Sequence, residues 1–411
     1  MSKRDIRMIG QWIFWIGVLL TLWGGGFYFV SKRLIGTMNW PNAWKTAARL
    51  VLLGMIVHSI MTMFLLRYME KLGSAWAWVT VVGMGFLSLV FTFLAVRDTL
   101  WLSAKGIDWL VSLLRSSEPV LNASRREFLL QATNLGILGG ASVLTAFGVY
   151  NARRSPGIVN LEIPIKNLPD AFIGFRIVQI TDIHAGLTVK RDWVETIAKQ
   201  VMDLTPDLIA FTGDMADGTV PHLREDVAPL AELAAPHGKF FVTGNHEYYS
   251  GAEPWVEHAR TMGYDVLMNE HRLISRNGSS ILLAGVTDYS GGQFLPHHKS
   301  DVKKSVDGAP SDTVKILMAH QPRSLFEADA FKFDLVLMGH THGGQFFPWN
   351  LVATLGQPYI KGLHNRNGTW AYVSKGTGYW GPPVRLGARS EISVFTLTNA
   401  SMNSLAGTPD A

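Results

Sequence analysis

The order of apolar and polar positions divides the chain into two textures that meet near residue 155. Before that point four uncharged apolar stretches, Met8–Ser31, Leu50–Leu66, Leu72–Val96 and Phe128–Asn151, alternate with clusters of Lys and Arg. Each approaches the roughly 20 residues that a helix needs to cross the hydrocarbon core of a bilayer, which predicts an all-α transmembrane region of about four helices over 1–155. Thr99–Leu114 carries Lys105 and Asp108 and reads as a separate helix in the membrane interface. From Pro156 onward, short buried-type strands alternate with helical patterns. The strands are predicted at Phe175–Ile183, Leu208–Thr212, Lys239–Thr243, Ile281–Val286, Val314–Ala319 and Leu335–Met338, and the helices near Arg191–Asp203 and Leu223–Ala234. This alternation predicts an α/β layered domain over 156–398, with reactive groups where strands end and loops begin. The remaining 399–411 is polar and is expected to be disordered.

Composition sharpens this division. A mean hydropathy of +0.16 with 17% charged residues is too apolar for an ordinary soluble enzyme. Nine of the 14 tryptophans fall before Phe128, several near segment ends, where interfacial anchors belong. The absence of cysteine excludes disulfides, thiolate ligands and a Cys nucleophile, so a metal would have to be held by His, Asn and carboxylates. The net charge of +5 lies mainly in the membrane half and its flanks, which suits the lipid bilayer as a partner. The second half lacks a Lys/Arg stripe with interleaved aromatics, so nucleic acid is not expected as a partner.

Sidedness is weakly encoded. With the N-terminus outside, nine basic residues fall in cytoplasmic loops and seven on the opposite side. The segment Ser124-Arg-Arg-Glu-Phe-Leu129, followed by a Gly/Ala-rich apolar run, resembles an internal twin-arginine export signal. On that reading everything after Tyr150 is exported; the alternative is a basic flank that stops a helix at the membrane face.

The candidate chemistry sits at five strand ends. Thr181-Asp182-Ile183-His184 offers two ligands at i and i+2, which an extended chain projects to one side. Thr212-Gly213-Asp214 offers a carboxylate able to bridge two cations. Thr243-Gly244-Asn245-His246-Glu247 offers an amide oxygen and an adjacent imidazole. His320 follows the fifth predicted strand, and Gly339-His340-Thr341-His342-Gly-Gly-Gln345 supplies a second i, i+2 pair.

In this order the five motifs resemble the calcineurin-like metallophosphoesterase superfamily, over roughly Phe175 to Leu397. The Gly-His-Thr-His-Gly-Gly-Gln block and Gly376-Thr-Gly-Tyr-Trp-Gly-Pro-Pro-Val-Arg385 are similar to its transmembrane-anchored branch. The resemblance implies an α/β fold, a two-sheet αββα sandwich preceded by the all-α transmembrane region. It also implies two divalent metal ions, one on Asp182, His184 and His342 and the other on Asn245, His320 and His340, with Asp214 bridging. A mixed imidazole, carboxylate and amide set without sulfur favours Mn, Fe or Zn. A hydroxide formed between the ions would attack phosphorus, with His246 as the catalytic residue that stabilises charge or protonates the leaving oxygen.

Within that resemblance Asp217 is expected to hydrogen-bond a ligand, and Glu247 to be structural. Arg323 and Arg385 are read as surface or packing residues more than as phosphate contacts. The implied reaction is hydrolysis of a phosphoester, phosphodiester or pyrophosphate bond. A membrane anchor points to a lipid-linked phosphorylated substrate, as for a UDP-2,3-diacylglucosamine hydrolase. The expected location is a bacterial inner membrane, multi-pass, with the catalytic domain extracytoplasmic. The alternative from another class is a membrane scaffold or sensor that binds metal without turnover.

Overall fold

The computed structural model describes residues 17, 21, 23–65, 74–113 and 123–400, with the backbone alone for 62–65, 74 and 123. The chain forms two compact units, Met1–Phe147 and Gly148–Ala411.

In the first unit residues 23–33 are helical, and most of the predicted span Met8–Ser31 lies outside the described residues. Three helices follow: α1 (Asn42–Leu65), α2 (Ser74–Ser112) and α3, which starts at Ala123 and ends at Arg153 in the second unit. All three are long and apolar enough to cross a membrane, over Asn42–Met61, Ala75–Ser112 and Ser124–Arg153. Helix α1 begins eight residues before the apolar run because Ala43, Ala47 and Ala48 favour helix strongly.

The separate interfacial helix expected over Thr99–Leu114 does not form. Helix α2 runs unbroken to Ser112, because Arg97-Asp98-Thr99 contains neither Gly nor Pro and its charges are partnered. Arg97 donates to Asp98 Oδ1 at 2.8 Å and to Asn134, Arg33 donates to Asp98, and Asn134 donates to Thr37 Oγ1 at 2.8 Å. At 39 residues α2 is about 58 Å long, more than a bilayer core requires. The Ser124–Leu129 motif forms the start of α3.

The second unit holds two six-stranded mixed sheets. The first contains β1 (Gly157–Ile165), β2 (Arg176–Ile180), β3 (Leu208–Phe211), β4 (Lys239–Phe241), β5 (Asp265–Val266) and β12 (Glu391–Asn399), in the order β1-β12-β2-β3-β4-β5. The second contains β6 (Glu270–Arg276), β7 (Ser279–Gly285), β8 (Lys315–Met318), β9 (Leu335–Met338), β10 (Gly362–Arg366) and β11 (Thr369–Val373), in the order β10-β11-β9-β8-β7-β6. Strands β2 to β5 run parallel, as do β7, β8, β9 and β11.

The central strands are buried on both faces, and successive side chains join different cores with period 2, which assigns the layers. Ile177, Leu208, Ala210 and Phe240 face Leu283, Ile316, Met318 and Leu337 between the sheets. Val178, Ile180, Ile209 and Phe211 pack outward on α4 (Arg191–Asp203) and on α7 (Ala252–Thr261), through Trp193, Ile197, Val201 and Trp255. Leu282, Leu317 and Val336 pack outward on Val302, Leu325 and Ala328 in short helical turns. The result is helix, sheet, sheet, helix. Helix α5 (Val220–Val227) gives way to a 3-10 turn over Ala228–Glu232 where Pro229 lacks an N–H. Strand β12 extends to Asn399, pairing it with Ile165, one residue into the segment read as tail; 401–411 lies outside the described residues.

Candidate metal centre

Five parallel strands end at the edge the two sheets share. Asp182 and His184 follow β2, Asp214 follows β3, Asn245 opens α6 (Asn245–Ser250) after β4, His320 follows β8, and His340 and His342 follow β9. Gln179 ties the sheets together here, its Nε2 donating to Met338 O at 3.1 Å and to Thr212 Oγ1 at 2.7 Å.

The i, i+2 pairs converge by a different route from the extended-chain one. Asp182, His184, Asp214, His340 and His342 have left-handed backbones, with φ of 54°, 53°, 56°, 74° and 52°. Such a backbone costs a non-glycine residue roughly 1–2 kcal/mol, so five of them at one edge mark a conformation that the surrounding core enforces. Two glycines make room: a Cβ at Gly244 would lie 2.2 Å from Asp214 Oδ1, and one at Gly339 would lie 2.2 Å from Asp182 Oδ2.

The structure brings all seven residues and His246 into one buried pocket. Asp182, His184 and His342 place ligand-competent atoms within 4.8 Å of one another, as do Asp214, His320 and His340. His184 Nε2 lies 3.0 Å from His342 Nε2 and 3.6 Å from Asp214 Oδ2, and His342 Nε2 lies 3.4 Å from Asp182 Oδ1. His320 Nε2 lies 3.1 Å from Asp214 Oδ2 and 3.2 Å from Asn245 Oδ1. Asp214 therefore touches both groups.

Backbone and outer side chains fix these atoms. The His340 N–H donates to both oxygens of Asp182 at 3.0 Å, and the His246 N–H donates to Asp214 Oδ1 at 2.9 Å. His320 Nδ1 lies 2.7 Å from Thr212 O, a carbonyl that can only accept, so Nδ1 carries hydrogen and Nε2 faces the pocket. Asp217 Oδ1 is 2.8 Å from His184 Nδ1 and 2.6 Å from His246 Nδ1, orienting both rings. Glu247 accepts from the N–H groups of Gly244, Met215 and Asp214 at 2.7, 2.8 and 3.0 Å.

The electrostatics follow from two buried carboxylates, Asp182 and Asp214, and the partly exposed Asp217 beside them. Burial opposes charge on His320, yet Asp214 pushes it up to about 10; His184 rises well above its ordinary value, through Asp217, and His246 rises through Asp214 and Asp217. Burial and the neighbouring His320 hold His340 down at about 4, and burial holds His342 well below its usual range. Asp182 and Asp214, despite their burial, and Asp217 all lie below the usual carboxylate range, held there by the facing imidazoles. Burial and Asp214 push Glu247 up to about 7. The field that raises three imidazoles is one that also favours bound cations, and imidazole nitrogens with carboxylate and amide oxygens are the donors such ions take.

Several residues were not readable as site components. Asp288, fully buried after β7, accepts from Gln321 Nε2 at 3.1 Å. Gln345 Nε2 donates to Trp380 O and Pro382 O at 3.0 and 2.8 Å, holding the glycine-rich loop over the pocket. Arg385 is a buried clamp, donating to Gly378 O, Ala388 O, Lys375 O and His342 O, while Arg323 is exposed and donates to Gly356 O. Tyr249 and Trp380 frame His246, with ring centroids 5.0 and 5.5 Å away. Outside the pocket, Glu253, His297 and His298 form a further group that proximity alone would allow to hold a metal.

The geometry gathers candidate metal ligands at one edge of a two-sheet sandwich, the arrangement expected of a metallophosphoesterase, and the comparisons agree with that class. Residues 175–344 match the model of the calcineurin-like phosphoesterase family. A transmembrane protein with metallophosphoesterase domain from Danio rerio is 34% identical over 417 residues, covering 97% of this chain and 92% of that protein. Its namesake from Bos taurus is 38% identical over 270 residues, covering 63% of this chain and 61% of its own length. An uncharacterized metallophosphoesterase from Bacillus subtilis is 32% identical, covering 68% of this chain and 99% of its own. The chain belongs to the calcineurin-like phosphoesterase family. It is a metallophosphoesterase, a hydrolase of phosphoester bonds with an apolar helical region at its N-terminus.

Proposed function

We propose that the pocket holds two divalent ions, one on Asp182, His184 and His342 and the other on Asn245, His320 and His340, with Asp214 shared, and that the enzyme hydrolyses a phosphorylated lipid-linked substrate. The observation that carries the metal assignment is the convergence of His184 Nε2 and His342 Nε2, 3.0 Å apart, on Asp182 and Asp214, which gathers ligand-competent atoms of four side chains around one point. The mixed donor set favours Mn, Fe or Zn over Mg or Ca. Ions held there would activate a water and neutralise phosphoryl charge.

The chain's own residues complete the chemistry. His246, partly open to solvent and oriented by Asp217, is placed to neutralise a phosphoryl oxygen or protonate the leaving oxygen, and its raised pKa keeps the proton available. Asp217 holds His184 and His246 in register. Glu247 fixes the Asp214 and Gly244 backbones, and so Asn245. The half-exposed aromatic rings of Tyr249, Phe294 and Trp380 around the mouth suit a substrate with an apolar portion.

Turnover of bis-p-nitrophenyl phosphate with Mn²⁺, lost in Asp214→Asn, is the result the hydrolase reading requires; no turnover with any divalent metal would favour a binding scaffold. A pyrophosphate-bearing lipid such as UDP-2,3-diacylglucosamine, presented in mixed micelles, is the substrate class to assay first. For location, the apolar helices and the Ser124–Leu129 motif support a multi-pass protein of a bacterial inner membrane with its catalytic unit outside the cytoplasm. A single cysteine placed near Asn399 and labelled by an impermeant thiol reagent in intact cells tests that sidedness.

A further inference from the structure

One surface beside the pocket has no role in the phosphoester chemistry. Helix α8 (Trp349–Gly356) reads Trp-Asn-Leu-Val-Ala-Thr-Leu-Gly, carries no charge and has no buried residue. Trp349, Leu351, Val352 and Leu355 are 50%, 56%, 50% and 87% exposed, and Phe347 just before them is 42% exposed. A folded domain rarely leaves so continuous an apolar element to water unless something covers it.

The surroundings of α8 indicate what does. It follows directly from the ligand turn: a Cβ on Gly344, two residues after His342, would lie 2.1 Å from Asn350 Cα. The next residue, Gln345, accepts from the Leu386 N–H at 3.0 Å, and the Arg385 N–H donates to Gly148 O at 3.0 Å. Val384 packs on Gly148 as well. Gly148–Arg153 is the end of α3, whose apolar run Ser124–Arg153 is long enough to cross a membrane. Few contacts therefore separate the exposed apolar helix from Gly148–Arg153, the end of α3 that belongs to the catalytic unit. Flanking charge agrees, since Arg323 donates to Gly356 O at the end of α8 and Lys361 is exposed just beyond it. Aromatic and aliphatic side chains bordered by cations suit the headgroup boundary of an anionic bilayer.

We propose that α8 inserts its Leu351, Val352 and Leu355 side chains into the bilayer interface, docking the mouth of the metal pocket on the lipid surface. The occupant is the membrane itself, which the apolar run of α3 is long enough to cross. This goes beyond the hydrolase reading and holds whichever phosphorylated compound is the substrate.

Because the chain has no cysteine, the test needs only one. Full-length Leu355→Cys carries a polarity-sensitive dye and is reconstituted into phosphatidylcholine/phosphatidylglycerol vesicles, with iodide on both sides or with nitroxide-labelled lipid. Ser311→Cys is the reference, exposed ahead of β8 at the sheet end opposite the metal pocket. The expected result is blue-shifted emission at Leu355, lost to nitroxide lipid and insensitive to iodide, with the reverse at Ser311. Quenching of the Leu355 dye by iodide would overturn the proposal. So would shielding from both quenchers, as a second copy or another protein would give. The readout does not use turnover, so its failure and the failure of the hydrolase reading are distinguishable.

Discussion

Gly244 approaches Asp214 so closely that a Cβ on the glycine would lie 2.2 Å from the carboxylate Oδ1 and 2.7 Å from the aspartate nitrogen. Two strand ends from neighbouring parallel strands are thus fitted backbone against ligand, which is what places Asp214 between the two groups of imidazoles. Gly244→Ala should displace Asp214 or the Asn245 turn. Turnover of bis-p-nitrophenyl phosphate is expected to fall at least as far as in Asp214→Asn, while thermal unfolding of the protein remains cooperative. Near-native turnover in the alanine variant would refute this fit.

Asp217 bonds both His184 and His246 through their Nδ1 atoms, while His184 turns Nε2 toward His342 and Asp214. Outer partners of this kind typically carry about 10–100-fold in metal affinity or activity. Asp217→Asn should lower kcat/KM within that range and weaken Mn²⁺ retention. A variant with unchanged metal titration would confine the role of Asp217 to His246.

Much of this site was legible because its ligands follow buried strands. The Leu208–Phe211 and Leu335–Met338 runs are short and continuously apolar, and each stops at a small-residue turn before a polar side chain. The resemblance then joined five such stops. What stayed hidden depends on distant pairing: β1 is held by β12, more than 200 residues away, and neither end of the chain carries a local signal for the partner. The left-handed backbones of Asp182 and His184 were equally invisible, since Asp-x-His is compatible with an extended chain. Arg385 reads as a surface or packing residue, and only the folded loop shows its guanidinium packed among four carbonyls.

His246 carries a specific chemical expectation. If it protonates the leaving oxygen, His246→Asn should slow substrates with alkoxide leaving groups by roughly 10²–10⁴-fold. p-Nitrophenolate leaves without a proton, so its release should be slowed far less. Equal losses on both substrate types would assign His246 to phosphate binding alone.

Arg385 is 1% exposed, and burial pushes its guanidinium down to about 10. Removing it strands several buried carbonyls, each costing about 1–3 kcal/mol. Arg385→Met should lower stability by roughly 3 kcal/mol or more, seen as a lower melting temperature of the full-length protein in detergent. Arg385→Lys should recover little of that, because an ammonium cannot reach four carbonyls from one fork. An unchanged melting temperature in both variants would contradict the clamp.

The central claim is that seven side chains from five strand ends share two cations. Anomalous diffraction from Mn²⁺-loaded crystals tests it most directly. Two peaks are predicted, one among Asp182, His184 and His342 and one among Asn245, His320 and His340, with Asp214 reaching both. A single peak, or none among these residues, would contradict the account.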